Sequence, residues 1–371
     1  MEFLYEFGLF LLKSITIVAA ILFVIGGIVS TSQKNKASKT KGQTQGEIKL
    51  TNISEHYRNM VQDMQEALLS SFEAKALNKA EKKAEKEKNK KDKKKAKELK
   101  KAATDTKDKS ESLAEKVEDA HKRLFVLDFD GDMKASAVDS LREEISAIIS
   151  IAGKQDEVLL RLESPGGMVH SYGLAASQLQ RLRNSDINLT IAVDKVAASG
   201  GYMMACVANK IIAAPFAIIG SIGVIAQIPN FNKLLRKMDV DFEQHTAGEY
   251  KRTLTIFGEN TEQGREKFRE ELEDTHQLFK SFITDNRPEL DIESVATGEH
   301  WYGTRAVDKG LIDDISTSDD LIINAVKDSE VFEVSYEVPK TLSEKIGINL
   351  EAAINRMALS WWSRSTQEKN Y

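Results

Sequence analysis

Ser199 is the residue whose surroundings suit chemistry best. It lies in the stretch Asp194 to Tyr202, where Ser199 is followed by Gly200 and Gly201. A β-branched run, Leu189 to Val193, leads in, and a small-residue helical pattern, Gly201 to Ala208, leads out. At a strand-to-helix junction the first backbone N–H groups have no intrahelical partner and point outward. A serine hydroxyl placed there sits beside positive dipole ends, and the two glycines let another backbone approach closely. That is a plausible nucleophile. Taken alone, Ser-Gly-Gly is also ordinary turn and N-cap chemistry. A serine nucleophile further needs a base to take its proton. His170, His245, His276 and His300 are available by position, and no local pattern marks any of them. A lysine can serve if burial keeps it neutral, because the charged form loses hydration. Lys251 ends Gly248-Glu249-Tyr250-Lys251, after a run from Phe242 to Ala247 that reads as strand and loop. By composition it is one of many lysines, for which a solvated surface position is the ordinary reading.

Other chemistries find little support. The single cysteine, Cys206, excludes an intramolecular disulfide. It lies among small apolar residues and reads as a buried structural thiol. The six histidines form no His-x-x-x-His or Cys/His cluster, so neither a zinc site nor a cofactor is expected. The net charge of −5 hides a basic stretch, Lys79 to Lys109. A solvated helix or spacer explains it best, contact with anionic lipid comes second, and nucleic-acid binding comes last because no aromatic residues are interleaved.

The elements that must position Ser199 follow from periodicity. Leu124 to Phe129 reads as a strand, then a helix carries Val138, Leu141, Ile145, Ile148 and Ile149 on one face. Glu157 to Glu163 is the next strand and runs into Ser164-Pro165-Gly166-Gly167. Met168 to Arg183 is helical, and the Leu189 strand returns to Ser199. Strand, loop and helix repeat, which predicts an α/β domain over residues 121–340. Asn230 to Met238 reads as a short basic helix, Thr261 to Asn286 as a long amphipathic one, and Val331 to Val338 as a late strand.

The flanks differ. Leu9 to Val29 is apolar and uncharged from Ser14 onward, long enough to cross a bilayer. An acidic start and the lack of a clear cleavage site favour an uncleaved anchor over residues 1–30. Residues 31–55 read as a linker, 56–120 as a charged helical or disordered segment, and 341–371 as an amphipathic tail ending at Trp361-Trp362. Lys34, Lys36, Lys39 and Lys41 follow the span, which by charge count puts the bulk of the chain in the cytoplasm. Ile211 to Ile228 is also uncharged, but Pro215, Gly220 and Gly223 divide it, so Ile211 to Ala214 and Ile222 to Ile228 are expected as buried strands.

Several pieces, in order, resemble the signal peptide peptidase A family of membrane-anchored serine proteases. They are Glu163 to Gly167, Ala198 to Tyr202, Gly220-Ser221-Ile222-Gly223-Val224, and Gly248 to Lys251. A fifth piece combines Trp301-Tyr302-Gly303 with Ala306 and Gly310 to Asp313. Each alone is weak, and all five in order are specific. The resemblance implies that Ser199 is the nucleophile and Lys251, 52 residues later, the general base. It implies that Ser221 orients the lysine amine and that the N–H groups of Gly166 and Gly200 form the oxyanion hole. It further implies a ClpP/crotonase-like fold of repeated ββα units and a homo-oligomeric ring with the sites facing a chamber. The substrates would be peptides or unfolded envelope proteins, such as signal-peptide remnants or misfolded chains. The setting would be a bacterial inner membrane with the catalytic domain on the periplasmic side, opposite to the charge count. Two features depart from the family pattern: the long lysine-rich segment before the domain, and the bulky, basic residues Arg252 to Thr255 after Lys251. Two other functions compete. One is a crotonase-type acyl-thioester enzyme, which would leave Ser199, Ser221 and Lys251 without a role. The other is a non-catalytic membrane scaffold.

Overall fold

Strands that read as near-continuous apolar runs must be covered on both faces. Three such strands are β2 (Arg123–Asp130), β3 (Glu157–Glu163) and β4 (Asn188–Val193), and they pair in parallel. The computed structural model describes residues 46–69 and 122–338. In it these strands form the middle of a seven-stranded sheet of order β1-β10-β2-β3-β4-β6-β9. Its remaining members are β1 (Glu47–Asn52), β6 (Lys210–Ala213), β9 (Asp314–Ile315) and β10 (Glu330–Glu337).

Along β2 the side chains alternate between two cores. Phe125, Leu127 and Phe129 join a large cluster with Leu141, Ile145, Tyr172 and Leu179. These come from α2 (Val138–Ile151) and α3 (Val169–Asn184). Leu124 and Val126 face a smaller cluster with Leu159, Ile322 and Val331, against which Ile53 and Tyr57 pack. That face is covered by α1 (Ile53–Leu68) and α9 (Ser318–Asp328). The period-2 alternation of a strand thus assigns each residue to a layer.

A second, three-stranded sheet stands beside the first. It contains β5 (Val196–Ala198), β7 (Ile218–Gly220) and β8 (His300–Tyr302), in the order β5-β7-β8. β5 follows β4, and β7 follows β6, so a main-sheet strand twice leads into a short strand of the second sheet. A bridge between Ser164 and Ala197 joins the end of β3 to β5. After β5 comes α4 (Gly200–Ala205), and after β7 the chain leaves the body until α6 (Glu262–Asn286). Short helices complete the chain between these elements: α5 (Asn232–Lys237), α7 (Ile292–Val295) and α8 (Gly303–Ala306).

The expected strands and helices of the body are largely present, the short strands β5, β7 and β8 and the helix α9 come in addition to them, and three further differences stand out. Residues 47–52, expected within a linker, form an edge strand whose residues are almost all exposed. A strand without a buried face has no alternation to read. The helix after it is anchored by Asn52, whose Oδ1 accepts from Glu55 N at 2.9 Å, and by buried Ser54, whose Oγ accepts from Val331 N at 2.8 Å. Second, Ile222 to Ile228 is not a strand: Ile222 is buried but Ile225 is 79% exposed. Third, Phe242 to Ala247 forms no strand. The uncharged stretch around β6 and β7 is nevertheless sheet rather than a span. No helix among the described residues is long and apolar enough to cross a membrane. Leu9 to Val29, the lysine-rich run and the 341–371 tail lie outside the described residues.

Candidate active site

Ser199 sits between β5 and α4 with φ 52° and ψ −116°. A positive φ on a non-glycine residue is sparsely populated and must be held by its surroundings. Ser199 N–H donates to Gly220 O at 2.7 Å, and Ser199 O accepts from Met203 N at 3.0 Å. Ser221 has the same unusual backbone, φ 50°, and its N–H donates to Glu299 O at 2.7 Å. The parallel register pairs Ala198 with Gly220. Ser199 and Ser221 are therefore the next residues on adjoining strands, side by side where both strands end.

The Pro165-Gly166-Gly167 turn closes over this point. Gly166 has φ 89°. A Cβ there would come within 2.7 Å of Ala198 O and 2.8 Å of both Gly200 N and Ser199 Cβ. Only glycine fits, by backbone angle and by space. The structure thus brings Ser199, Ser221, Gly166 and Gly200 together. One detail differs from expectation. Gly166 N–H donates to the buried Ser164 Oγ at 3.1 Å and not toward the cleft. It is Gly167 that lines the small cavity at Ser199, together with Gly200, Val169, Met203, Gly223, Val224, Thr275 and Phe279. The cavity wall is largely apolar, and α6 supplies Thr275 and Phe279 to it.

Lys251 is elsewhere. It is exposed, on an arm of residues 224–258 that has α5 as its one regular element. Lys251 N–H donates to Gly248 O at 3.2 Å. The arm's loop touches α6 where Lys267 Nζ lies 5.2 Å from the Tyr250 ring centroid. From Lys267 to Thr275 is roughly 12 Å along a helix, and Lys251 is not among the residues around the Ser199 cavity.

The other candidates are not at Ser199 either. His170, His245 and His300 are exposed, and His245 pairs with Glu243 at 3.4 Å. His276 is half-buried, and its Nε2 has no hydrogen-bond partner. It is the neighbour of Thr275 but does not line the cavity. Burial pushes the Cys206 thiol up to about 12, so it stays protonated. A larger cleft at the carboxyl ends of β2, β3 and β4 is charged but largely paired within itself, through Arg161 with Asp128 and Lys195 with Glu163. Among the described residues no His, Cys, Asp and Glu gather as a metal site. Sequence reasoning passed over Tyr172, Thr275 and Phe279. Tyr172 stands one turn into the helix after the glycine pair, and nothing local distinguishes it from a core aromatic.

Comparison with known proteins gives the family. The N-terminal part of peptidase family S49 is matched by residues 2–179, and the peptidase family S49 domain by residues 181–331. A "Probable protease SohB" of Haemophilus influenzae is 53% identical over 356 residues, 95% of each chain. A protein of the same description from Buchnera aphidicola subsp. Acyrthosiphon pisum is 62% identical over 224 residues, 60% of this chain and 67% of its own. Among solved structures, a mutant of the 1510-N membrane-bound stomatin-specific protease, in complex with a substrate peptide, aligns with 14% identity and a TM-score of 0.39. The alignment covers 61% of this chain and 96% of that one. Matched along nearly its whole length, the chain belongs to peptidase family S49 and is a serine peptidase.

Proposed function

We propose that Ser199 is the nucleophile of an endopeptidase whose general base is Lys251 and whose Ser221 orients the lysine amine. The observation that carries this reading is the strained Ser199, side by side with Ser221 beneath the Gly166–Gly167 turn. Neutral Lys251 takes the Ser199 hydroxyl proton as Oγ attacks the peptide carbonyl. The carbonyl oxygen becomes an anion, stabilised by Gly200 N–H and by the N–H that the glycine turn offers to the cleft. The lysine ammonium then protonates the departing amine, leaving an ester on Ser199. A water deprotonated by Lys251 hydrolyses that ester. With Gly166 N–H turned onto Ser164, Gly167 is the better-placed donor of the turn. Loss of one such donor typically costs about 10²–10³ in turnover.

A lysine serves as a base only where burial takes it out of water, and Lys251 is exposed. The arm must therefore be covered before Lys251 can act. Its exposed apolar residues, Ile225, Leu234, Met238 and Ile256 among them, suit packing against neighbouring copies. A ring assembly, with β4-β5-α4 and β6-β7 read as repeats of the ClpP/crotonase-like ββα unit, is the form this reading takes. Leu9 to Val29 would anchor the enzyme in the inner membrane with the peptidase domain on the periplasmic side. Its substrates would be signal-peptide remnants or misfolded envelope chains.

The test is labelling of the detergent-solubilised full chain with a fluorophosphonate probe across pH. Label on the wild type, and on neither Ser199→Ala nor Lys251→Ala, is expected, rising as a desolvated lysine loses its proton. Label or peptide cleavage retained in both variants would overturn the dyad.

A further inference from the structure

We propose that Tyr172, acting through Ser164, is a positioning residue that holds both oxyanion donors in place. The proposal rests on the reading of Ser199 as nucleophile. Tyr172 OH donates to Asp132 O at 2.8 Å. Its single proton is thereby committed. In the 2.6 Å contact between Tyr172 Oη and Ser164 Oγ, the serine is therefore the donor. Ser164 Oγ, its own proton committed, accepts from Gly166 N–H at 3.1 Å. Three hydrogen bonds run one way, from the glycine turn through two hydroxyls to a carbonyl. Both side chains are fully buried, so water does not compete for them. Such a chain is cooperative, and a buried one tolerates no missing member.

The same tyrosine reaches the other donor from below. A Cβ added to Gly200 would overlap Tyr172 Cγ, so the ring lies directly against the residue that follows the nucleophile. Ser164 is itself pinned to the nucleophile's strand. Its N–H donates to Val196 O at 2.8 Å, and its carbonyl accepts from Ala198 N at 3.0 Å. The space around the two hydroxyls is full, since a Cβ on Gly131 would overlap both Ser164 Oγ and Tyr172 Oη. One side chain thus supports the Gly166–Gly167 turn with its phenol end and Gly200 with its ring. An ordinary core tyrosine needs one partner for its hydroxyl; Tyr172 also accepts from the serine that holds the glycine turn and packs its ring on Gly200.

The experiment uses the full chain in detergent, with Tyr172→Phe, Ser164→Ala, their combination, and Ser199→Ala as reference. Tyr172→Phe keeps the ring and removes the phenol. The expected result is a fall in kcat of about 10–100-fold with KM within about twofold, a part of what losing a donor outright costs. Affinity for a peptidyl boronic acid, which mimics the tetrahedral anion, should fall in step with kcat/KM. Ser164→Ala should match it, and the double variant should be no worse than the worse single by more than about threefold, because the chain works as a unit. Unchanged kcat and boronate affinity in Tyr172→Phe or Ser164→Ala, even with a lowered melting temperature, would overturn the proposal. If Tyr172→Phe does not fold, Ser164→Ala decides alone. Cleavage that survives in Ser199→Ala would instead overturn the assignment of the nucleophile, and this proposal with it.

Discussion

The corner around Ser199 and the arm around Lys251 are opposites. At the corner, Gly220 O holds Ser199 N–H, Glu299 O holds Ser221 N–H, and the Gly166 turn and the Tyr172 ring both close on Gly200. On the arm, Ile225 is 79% exposed and Met238 65% exposed, and aromatic contacts such as Phe231 with Phe257 and Phe242 with Phe257 stay within the arm itself. Asn230 Nδ2 bonds Thr255 O and Gly258 O, again within the arm. The serine proposed as nucleophile and the N–H groups proposed as oxyanion donors are held together within a single chain. The residue proposed as base is carried by an arm that is held largely by its own contacts and meets α6 at Tyr250, and its lysine is exposed. A strained serine can persist only where its surroundings over-determine it. A lysine base needs desolvation, and this fold by itself does not supply it.

Three changes break or sharpen this contrast. The largest effect is expected from Gly166→Ala. Its Cβ would strike Ala198 O and Gly200 N on a backbone with φ 89°. Stability should fall by about 2–4 kcal/mol, with cleavage reduced on the order of a hundredfold. Denaturant midpoints and peptide turnover measure both, and a fully active, fully stable variant would mean the turn is looser than the corner suggests. Next comes Met238→Asp or Ile225→Asp on the arm. Either should leave the melting of the body within about 0.5 kcal/mol, because neither side chain is buried. Turnover and assembled mass, read by light scattering, should both fall. If neither changes, the arm does its work uncovered and the contrast loses its functional meaning.

The smallest effect is in the scaffold of the corner. Glu144, on α2, is buried and accepts from Tyr336 N at 2.8 Å. Burial pushes its carboxyl up to about 7, with the nearby Asp128 charge adding to the shift and the Tyr336 hydrogen bond opposing it. The folded chain thus holds a proton that the unfolded chain releases near pH 4.5. Stability from this group is complete below about pH 4.5 and declines as pH rises to about 7. Glu144→Gln should flatten that decline and stabilise the protein at pH 8 by on the order of 1–2 kcal/mol. Urea midpoints of the two proteins across pH 4–8 measure it, and parallel curves would exclude Glu144 as the source.

The strands β2, β3 and β4 and the helices α2 and α3 were legible because their signals are local. A run such as Val158 to Leu162, or apolar residues at Leu141, Ile145 and Ile148, states its own burial. The glycines around Ser199 were legible as a pattern of residue types, since a turn packed this closely against a strand end leaves no room for side chains. β1 was not legible, because a strand exposed on both sides carries no alternation. Nor was the breakdown of Ile222 to Ile228 into one buried residue and an exposed arm.

By itself, the sequence determined the class of fold, the serine at the strand-to-helix junction and the motif order that resembles a peptidase family. Each of these is written in contiguous residues. The tertiary structure alone decided that Ser221 stands beside Ser199, because a parallel register sets that and not their spacing in the chain. It alone turned Gly166 N–H onto Ser164 and put Tyr172 beneath Gly200. It alone left Lys251 on an exposed arm. Residue type limits which groups can react. Which of them meet depends on how distant segments pack, and local sequence carries no record of that.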